Sequence, residues 1–501
     1  MFGSQNHGVQ RSTSVTATKI LSKHLPGVGV ILVQKSNTKV ALSSAHGFTG
    51  ASCLKLADVT TNDITDLSRL SVGPQVGREI YDLIAELYPI CRSITGDGAR
   101  ETLSVIERRI SLETHEVPSG TPVLDWTVPK EWNIRDAYVA NARGERVIDF
   151  RKSCLHVVGY SAPVTGRFQL AELKEHIFTV PAHPEWIPFR YSYYNENWGF
   201  CMAHQDFEKL EEGEYEVVID SSLENGSLTY GEWYLPGSSE DELLICVHMD
   251  HPAMCNDNLS GVAVATFLAE LLARVKNNRL SYRIIFVPTT IGSITWLSRN
   301  KTGLGRVKYG FSMTCIGDAG AFTWKETRRG NAEIDRAVKC ALRESGEKYD
   351  LWGFTPFGFD ERQFCSPGFN LPFGCLFRTY SHQYPENHTS ADNLDLMRPE
   401  KLAGALALCV EIVKILEGNY NYLNASPEGE PQLGKRGIYR KIGGPIPQEH
   451  LVHLFWVLNY SDGEHSLLDI AEKSKFAFSD VRKAADILLG HGLLIPCDGQ
   501  F

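Results

Sequence analysis

The sequence has no long apolar run, no paired-cysteine motif and no excess of positive charge. None of its hydrophobic stretches approaches the roughly 20 residues that a membrane-spanning helix needs, so no membrane association is expected. The net charge of −10 gives the chain no general attraction to nucleic acid or anionic lipid. The 12 cysteines stand singly, without a CxxC pair, which is typical of reduced thiols in a cytoplasmic protein.

The start of the chain also lacks acidic residues, since none precedes Asp58. This segment is rich in Ser and Thr with scattered Lys, a composition found in organelle transit peptides. A disordered extension or an over-long gene start explains the same composition, because arginine is sparse and no amphipathic helix is evident. Residues 1–75 are therefore an unassigned extension, either disordered or transit-like.

Strand patterns alternating with helix patterns occupy the middle of the chain. The buried-strand patterns are "DELLICV", "YRIIFVP", "FSMTCIG" and "PFGCLFR", and polar loops and helical periodicity separate them. This alternation predicts an α/β fold, a mostly parallel mixed sheet with helices on both faces, formed by residues 76–118 and 237–425. Residues 119–236 are rich in Trp, Tyr, Val and turn residues, which predicts an inserted β-rich subdomain.

The last segment, residues 440–501, follows a Gly- and Pro-rich linker. Its sequence pattern predicts three helices and a short strand. Ser466 and Asp469 have the spacing of a capping box. A winged-helix domain is the expected arrangement. One predicted helix of this segment carries a balanced set of charges: Asp480, Arg482, Lys483 and Asp486. DNA binding would require a basic face, so a structural or protein-contact role is favoured.

Polar side chains stand at the predicted carboxyl ends of the strands, where an open parallel sheet binds its ligands. The first strand ends in "VHMDHPAMCNDNLSG", residues 247–261, and the second in "PTTIGS", residues 288–293. Further acidic residues and a histidine lie near the later strands: Asp318, Asp360, Glu361, His388 and Asp392. Residues that are far apart in sequence can therefore meet in one cleft.

A hydrolytic zinc ion needs imidazole and carboxylate ligands and one open position for water. These ligands would come from four residues: His248, Asp257, Asp318 and His388. Asp250 follows His248 by two residues, where its carboxylate could orient the imidazole. Ordinary structural roles explain the same residues, namely a helix cap at Asp257, a turn at Asp318 and a loop histidine at His388.

At these residues the sequence resembles the co-catalytic zinc aminopeptidase superfamily. That pattern has His-x-Asp at a strand end, a metal-bridging Asp in Asp-Asn-x-Ser-Gly, a Glu-Glu pair, an acidic ligand and a late His-Thr. Here "HMD" begins at His248, "DNLSG" begins at Asp257, and the late pair is His388–Thr389. The resemblance implies a zinc exopeptidase-like fold in which Asp318 is the acidic ligand.

More narrowly, the chain resembles a family of bacterial aminopeptidase-like proteins of uncharacterised function with an inserted β subdomain and a C-terminal winged helix. The resemblance runs from about Gly77 to Leu494. The family is often encoded beside surface-polysaccharide biosynthesis genes. Its markers read here "YPICRSITGDG", "DWTVPKEWNIRDAY", "HPAMCNDNLSG", "TIGSI", "DERQFCSPGFNLPFG" and "HTSADN".

Two positions depart from these patterns. The Glu-Glu pair reads Thr289–Thr290, and a hydroxyl can neither accept a proton as a carboxylate does nor replace a charged ligand. One zinc ion is therefore expected, and two zinc ions remain the alternative. Glu361 becomes the candidate general base, with Asp360 as the alternative. Asn387 stands where the narrower family usually has Tyr, and little effect is expected from it. His251 is the weaker candidate for a metal ligand.

The sequence thus predicts a zinc-dependent aminopeptidase-like hydrolase that acts on a small amide or peptide-like substrate. The alternative is a catalytically impaired metal-binding protein with a binding or regulatory role, which Thr289–Thr290 favours. A cytoplasmic location is expected, nucleic acid is not an expected partner, and a homo-oligomer is left open.

Overall fold

The structure, a computed structural model, describes residues 67, 70–73, 75–381, 383–438 and 448–497. The predicted extension, residues 1–75, lies almost wholly outside the described residues, so its interpretations stay predictions. Within the described ranges, no helix has the length and apolar character needed to cross a membrane. The α-helices in these ranges are α1 Val76–Leu87, α2 Asp97–Glu107, α3 Leu170–Leu173, α4 His204–Phe207, α5 Ser260–Leu272, α6 Ile291–Arg299, α7 Glu333–Ser345, α8 Glu361–Phe364, α9 Pro399–Gly418, α10 Gln448–Tyr460, α11 Leu467–Ser474 and α12 Phe478–Gly490.

The strands form one large sheet and several small ones. In chain order they are β1 Glu113–Pro118, β2 Pro122–Val123, β3 Trp126–Thr127, β4 Glu131–Ala140, β5 Arg146–Asp149, β6 Val164–Gln169, β7 Ile177–Phe178, β8 Phe200–Cys201, β9 Glu214–Glu224, β10 Ser227–Leu235, β11 Glu242–His248, β12 Ser281–Val287, β13 Val307–Met313, β14 Phe322–Lys325, β15 Tyr349–Trp352, β16 Phe373–Phe377, β17 Asn421–Asn424, β18 Asp462–Ser466 and β19 Leu494–Pro496.

The main sheet has eight strands in the order β1-β10-β12-β11-β13-β16-β14-β15. Its four central strands, β12, β11, β13 and β16, run parallel, while β1, β10 and β14 add antiparallel pairs. The predicted mostly parallel mixed sheet is therefore confirmed. Its central strands bring the carboxyl ends of β11, β12 and β13 to one edge, which is where the candidate site lies.

Strand β11 shows why helices cover both faces of this sheet. All of its residues are buried, as expected for a central parallel strand without a solvated face. Leu243 and Ile245 pack into a core with helices α1, α5, α7 and α9, while Leu244 and Cys246 pack into a second core with α6. Successive side chains of a strand point to opposite faces, so each face needs its own apolar layer.

The insertion forms its own four-stranded antiparallel sheet, in the order β5-β4-β9-β6, with a separate apolar core. Strand β10 lies inside the predicted insertion, residues 119–236, but it pairs with β1 and β12 of the main sheet. The composition of β10 could not show that this strand belongs to the main sheet and not to the insertion. Strands of both sheets are rich in the same aromatic and β-branched residues.

The C-terminal module combines helices α10, α11 and α12 with a three-stranded sheet, β18-β17-β19, in the predicted winged-helix arrangement. Strand β17 begins at Asn421, ahead of the predicted boundary at 440. The module packs on the main domain through Arg336 of α7, which forms ion pairs with Asp469 at 2.6 Å and with Glu472 at 2.7 Å. Arg482 of α12 is only 8% exposed and donates a hydrogen bond to the Gly418 carbonyl at 3.0 Å.

Glu417 of α9 joins this helix to the start of β12, and its replacement tests that connection. Its carboxylate accepts hydrogen bonds from the backbone N–H groups of Arg279 and Leu280, both at 3.0 Å, and from the Tyr282 hydroxyl. We expect Glu417→Ala to lower the free energy of unfolding by about 3 kcal/mol, because buried donors lose their acceptor. Urea denaturation measures this change.

Glu411 lies on the same helix, is exposed and forms a surface ion pair with Lys414, so Glu411→Ala is the matched control. We expect it to change the free energy of unfolding by less than about 0.5 kcal/mol. Equal effects of the two substitutions would contradict a specific role for Glu417.

Candidate metal centre

The loop between β11 and α5 is tied to the ends of two parallel strands. Asn258 donates from its side-chain amide to the carbonyls of His248, at 3.2 Å, and Met313, at 3.0 Å. The side-chain oxygen of Asn258 accepts from the Gly261 N–H at 3.1 Å, in the first turn of α5. A Cβ on Gly261 would lie 2.5 Å from the Met313 carbonyl, so only glycine allows α5 to approach β13 this closely.

Three histidines and one aspartate meet beyond these strand ends. His248 Nε2 lies 2.8 Å from Asp257 Oδ1, and His388 Nε2 lies 3.3 Å from Asp257 Oδ2. One ligand atom each of His248, His251 and Asp257 falls within 4.8 Å of the others. The ring centroid of His251 is 5.1 Å from that of His248 and 5.1 Å from that of His388. The side chain of His388 is 32% exposed, so the cluster opens to solvent there.

The groups of this cluster favour different protonation states, and His248 would have to lose its proton to bind a metal. Burial lowers the pKa of His251 to about 4, so its imidazole is neutral at neutral pH, the form that binds a metal. Burial also disfavours the charged form of His248, but the hydrogen bond and charge of Asp257 outweigh it and raise the pKa of His248 to about 9. Burial opposes ionisation of Asp257 as well, yet the surrounding imidazoles hold its pKa well below the usual value.

The residues present fit a zinc ion. Imidazole nitrogen and carboxylate oxygen are the ligands that zinc takes in hydrolytic sites. In addition, Nδ1 of His251 is buried and has no hydrogen-bond partner among the residues that the structure describes. An unpaired buried polar atom is costly, so this nitrogen is suited to bind a ligand or to hydrogen-bond to one.

Asp318 has a different environment from the other three predicted ligands. Its Oδ1 accepts from the Gly320 N–H at 2.6 Å and the Thr379 hydroxyl at 2.7 Å. Its Oδ2 accepts from the Asn256 amide at 2.9 Å and the Thr379 N–H at 3.3 Å. Four donors therefore already occupy this carboxylate. Asp257 contacts both His248 and His388. The compact group of possible ligand atoms from His248, His251 and Asp257 includes neither Asp318 nor His388.

The thiol of Cys315, just beyond β13, is near Asp257. Burial raises the pKa of the Cys315 thiol well above its usual value, and the negative charge of Asp257 adds to this effect. The backbone at Cys315 is left-handed, with a φ of 46°. The end of β13 thus brings a neutral thiol toward the cluster.

Asp250 and Asp360 both lie near the cluster but have different hydrogen-bond partners. Asp360 Oδ2 is 3.8 Å from Nδ1 of His248, and Asp360 Oδ1 accepts from the Ser293 hydroxyl at 2.7 Å. Burial raises the pKa of Asp360 to about 6. Asp250 Oδ1 instead accepts from the Thr289 N–H at 2.7 Å, which places this carboxylate against the Thr289–Thr290 pair.

Glu361, the predicted base, forms a buried ion pair. Lys325 Nζ donates to Glu361 Oε1 at 2.7 Å, and both side chains are almost completely buried. Burial raises the pKa of Glu361, although the charge of Lys325 opposes this. The arrangement fits a structural role for Glu361 beneath the neighbouring Asp360.

Several residues to which the sequence gave no specific role support the site. Asp392 accepts from the N–H groups of Asn256, at 2.6 Å, and Asp257, at 3.1 Å. Asn387, from which little was expected, donates to Asp257 Oδ2 at 3.1 Å. The buried Arg92 of "YPICRSITG" donates to the His251 carbonyl at 3.3 Å. The sequence indicated a place near the site for Asp392, because this residue follows a predicted strand.

Two family models match the chain. The first, described as a domain of unknown function, DUF4910, matches residues 81–419. The second, described as a winged helix-turn-helix, matches residues 420–496. Together they cover the two described parts of the chain that carry the main sheet and the C-terminal module.

Relatives of known sequence or structure match most of the chain. A Clostridium acetobutylicum protein named for polysaccharide biosynthesis and an aminopeptidase-like domain is 53% identical over 416 residues, which is 83% of this chain and 95% of the relative. A crystal structure of a C. acetobutylicum protein named as a peptidase matches with a TM-score of 0.81 and 50% identity, over 87% of this chain and 98% of that one.

A more distant likeness concerns the fold alone. The zinc aminopeptidase BSAP from Bacillus subtilis matches with a TM-score of 0.51 and 14% identity, over 69% of this chain and 95% of that one. The chain therefore has an aminopeptidase-like fold.

Substitutions at His251 and Asp318 distinguish the cluster seen in the structure from the set expected from sequence. We expect His248→Ala and His251→Ala each to weaken zinc binding by more than about 100-fold, because each would remove a proposed ligand. Asp318→Asn should keep zinc affinity within about threefold, because this carboxylate is held by hydrogen bonds. Competition with a chromophoric chelator on metal-free protein measures the affinities.

Circular dichroism of each variant serves as the check on folding. Loss of zinc from the Asp318→Asn protein, with zinc retained by the His251→Ala protein, would contradict the ligand set proposed from the structure.

Proposed function

Because the chain belongs to the DUF4910 family and has an aminopeptidase-like fold, we propose that it is a zinc-dependent hydrolase of amide bonds. The substrate would be a small amide or a peptide-like molecule. The observation that carries the proposal is the meeting of His248, His251, Asp257 and His388 at the carboxyl ends of parallel strands, with one imidazole nitrogen left unpaired.

We propose that these four residues hold one zinc ion, with Asp257 central to the set. A bound zinc ion would supply a Lewis acid that polarises an amide carbonyl and lowers the pKa of water. One ion is proposed because Thr289–Thr290 replaces the carboxylate pair that the resembled superfamily uses for its second metal. A cytoplasmic location is part of the proposal, and free thiols at the described cysteines support it.

Asp360 is proposed as a positioning residue for His248. Metal-binding histidines commonly direct their second ring nitrogen to a carboxylate, which fixes the orientation of the ring. Asp360 is the carboxylate beside Nδ1 of His248, while Nε2 of the same ring faces Asp257. The sequence assigned this role to Asp250, and the geometry supports Asp360 instead.

Asp250 is proposed as the carboxylate that transfers protons. Thr289 stands where the resembled superfamily keeps its carboxylate pair with the general base. The Thr289 N–H donates a hydrogen bond to Asp250 at 2.7 Å, which holds the Asp250 carboxylate beside that position. In this role it would take a proton from the attacking water and return it to the leaving amine. Glu361 is less suited, because Lys325 already occupies one of its oxygens.

Measurements on Asp250→Asn, Asp360→Asn and Glu361→Gln separate the three roles. We expect Asp250→Asn to lower kcat by about 100-fold or more with zinc retained, because proton transfer is lost. Asp360→Asn should weaken zinc binding by about 10-fold or more. At saturating zinc, it should lower kcat less than Asp250→Asn does. Glu361→Gln should mainly lower stability, because it breaks a buried ion pair.

These variants are assayed by hydrolysis of a panel of aminoacyl amides and N-acyl amines with zinc content measured in parallel. Unchanged kcat in Asp250→Asn would overturn its role. Zinc bound by the wild-type protein without turnover on any member of the panel would favour the alternative, a metal-binding protein without catalysis. The neutral Thr289–Thr290 pair is the observation that supports this alternative.

A further inference from the structure

The insertion contributes one wall of the candidate site. Pro188 and Thr389 form an antiparallel bridge, and the Phe189 N–H donates to the His388 carbonyl at 2.7 Å. The Ser390 N–H donates to the Ile187 carbonyl at 2.8 Å, so the two segments run side by side. His388 has a φ of 56°, a left-handed conformation that costs a non-glycine residue energy and needs support. The insertion supplies that support.

A series of aromatic rings leads outward from the metal cluster along this wall. The Phe189 ring meets His388 edge to face at 5.4 Å and lies 5.5 Å from His251. Tyr191 lies 5.5 Å from Phe189 and stacks on Tyr193 at 4.1 Å with an interplanar angle of 19°. Burial raises the pKa of the Tyr193 hydroxyl, and the negative charge of Asp250 adds to this effect.

The outer ring of this series is open to solvent. Tyr191 is 49% exposed although it is held from behind by Tyr193. Tyr194 and Trp126, whose centroids are 5.5 Å apart, are 48% and 49% exposed, and the Tyr194 hydroxyl is held by the Thr127 carbonyl at 3.0 Å. Exposed aromatic surface that is held rigid beside a cleft marks a binding surface.

We propose that Tyr191 is a sugar subsite: its exposed face stacks on a pyranose ring whose N-acyl group extends past Phe189 to the metal cluster. The proposal rests on the proposed function and names its substrate class, an N-acylated amino sugar. The reaction is hydrolysis: water adds its hydroxyl to the acyl carbon, the C–N bond breaks, and the proton goes to the amine.

The chemistry of the wall favours a sugar over a peptide side chain. A pyranose has an apolar C–H face and a rim of hydroxyl groups, so it suits a flat ring bordered by polar groups. Exposed Arg190 and Asn195 flank the tyrosines in "RYSYYN". Thr289–Thr290 is also neutral, and an N-acylated nitrogen carries no positive charge that would require a carboxylate pair.

Binding of N-acetylglucosamine to the full-length zinc-loaded protein tests the proposal, by saturation-transfer NMR and by titration. We expect Tyr191→Ala and Tyr191→Leu to weaken binding by about tenfold, because the flat stacking face is lost. Tyr191→Phe, which keeps the ring, should bind within about threefold of the wild type. Tyr349, 36% exposed on edge strand β15, provides the control Tyr349→Ala, for which no change is expected.

Leucinamide is the competing probe, because it carries an amide and an apolar side chain but no sugar ring. Weakened binding of leucinamide by Tyr191→Ala, without an effect on N-acetylglucosamine, would overturn the sugar subsite. So would N-acetylglucosamine that fails to bind the wild type. Sugar binding that depends on Tyr191, in a protein that hydrolyses no amide, would support the subsite and overturn the proposed hydrolase function. Retained zinc in each variant shows that the site is still folded.

Discussion

The Asp257 carboxylate is the group on which the arrangement of the site depends. Each of its oxygens contacts a different imidazole, that of His248 at 2.8 Å and that of His388 at 3.3 Å. Its backbone N–H is held by Asp392 at 3.1 Å, and Asn387 donates to its Oδ2. A buried carboxylate is stable only when it is paired and hydrogen-bonded, so this one requires the surrounding loops to adopt the observed positions.

The two additional parts of the chain relate differently to this centre. The insertion has its own sheet and core, yet its segment around Phe189 pairs with the loop that carries His388 and presents aromatic rings beside it. The winged-helix module instead packs on the main domain by ion pairs from Arg336 and by the buried Arg482. The insertion thus supports the loop that carries His388. Arg482 of the winged-helix module instead makes a contact within the chain.

The elements that were easiest to predict are those with long apolar patterns. The segment "PEKLAGALALCVEIVKILEG" forms helix α9 over its whole length, and β11 is the predicted buried strand. Strands β14 and β15 were not predicted, because each has only four residues, too few for a clear apolar pattern. The position of β10 in the main sheet depends on long-range pairing, for which neither propensity nor periodicity gives a signal.

The sequence by itself determined the chemical inventory: histidines and carboxylates at strand ends, a neutral Thr289–Thr290 pair, and a winged-helix tail. Only the tertiary structure decided which of these groups meet. His251 joins the cluster and Asp318 does not, while Asp360 takes the position beside His248 that spacing gave to Asp250. The physical reason is that hydrogen-bond partners select a role for each carboxylate, and those partners, such as Thr379 and Ser293, come from distant strands and helices.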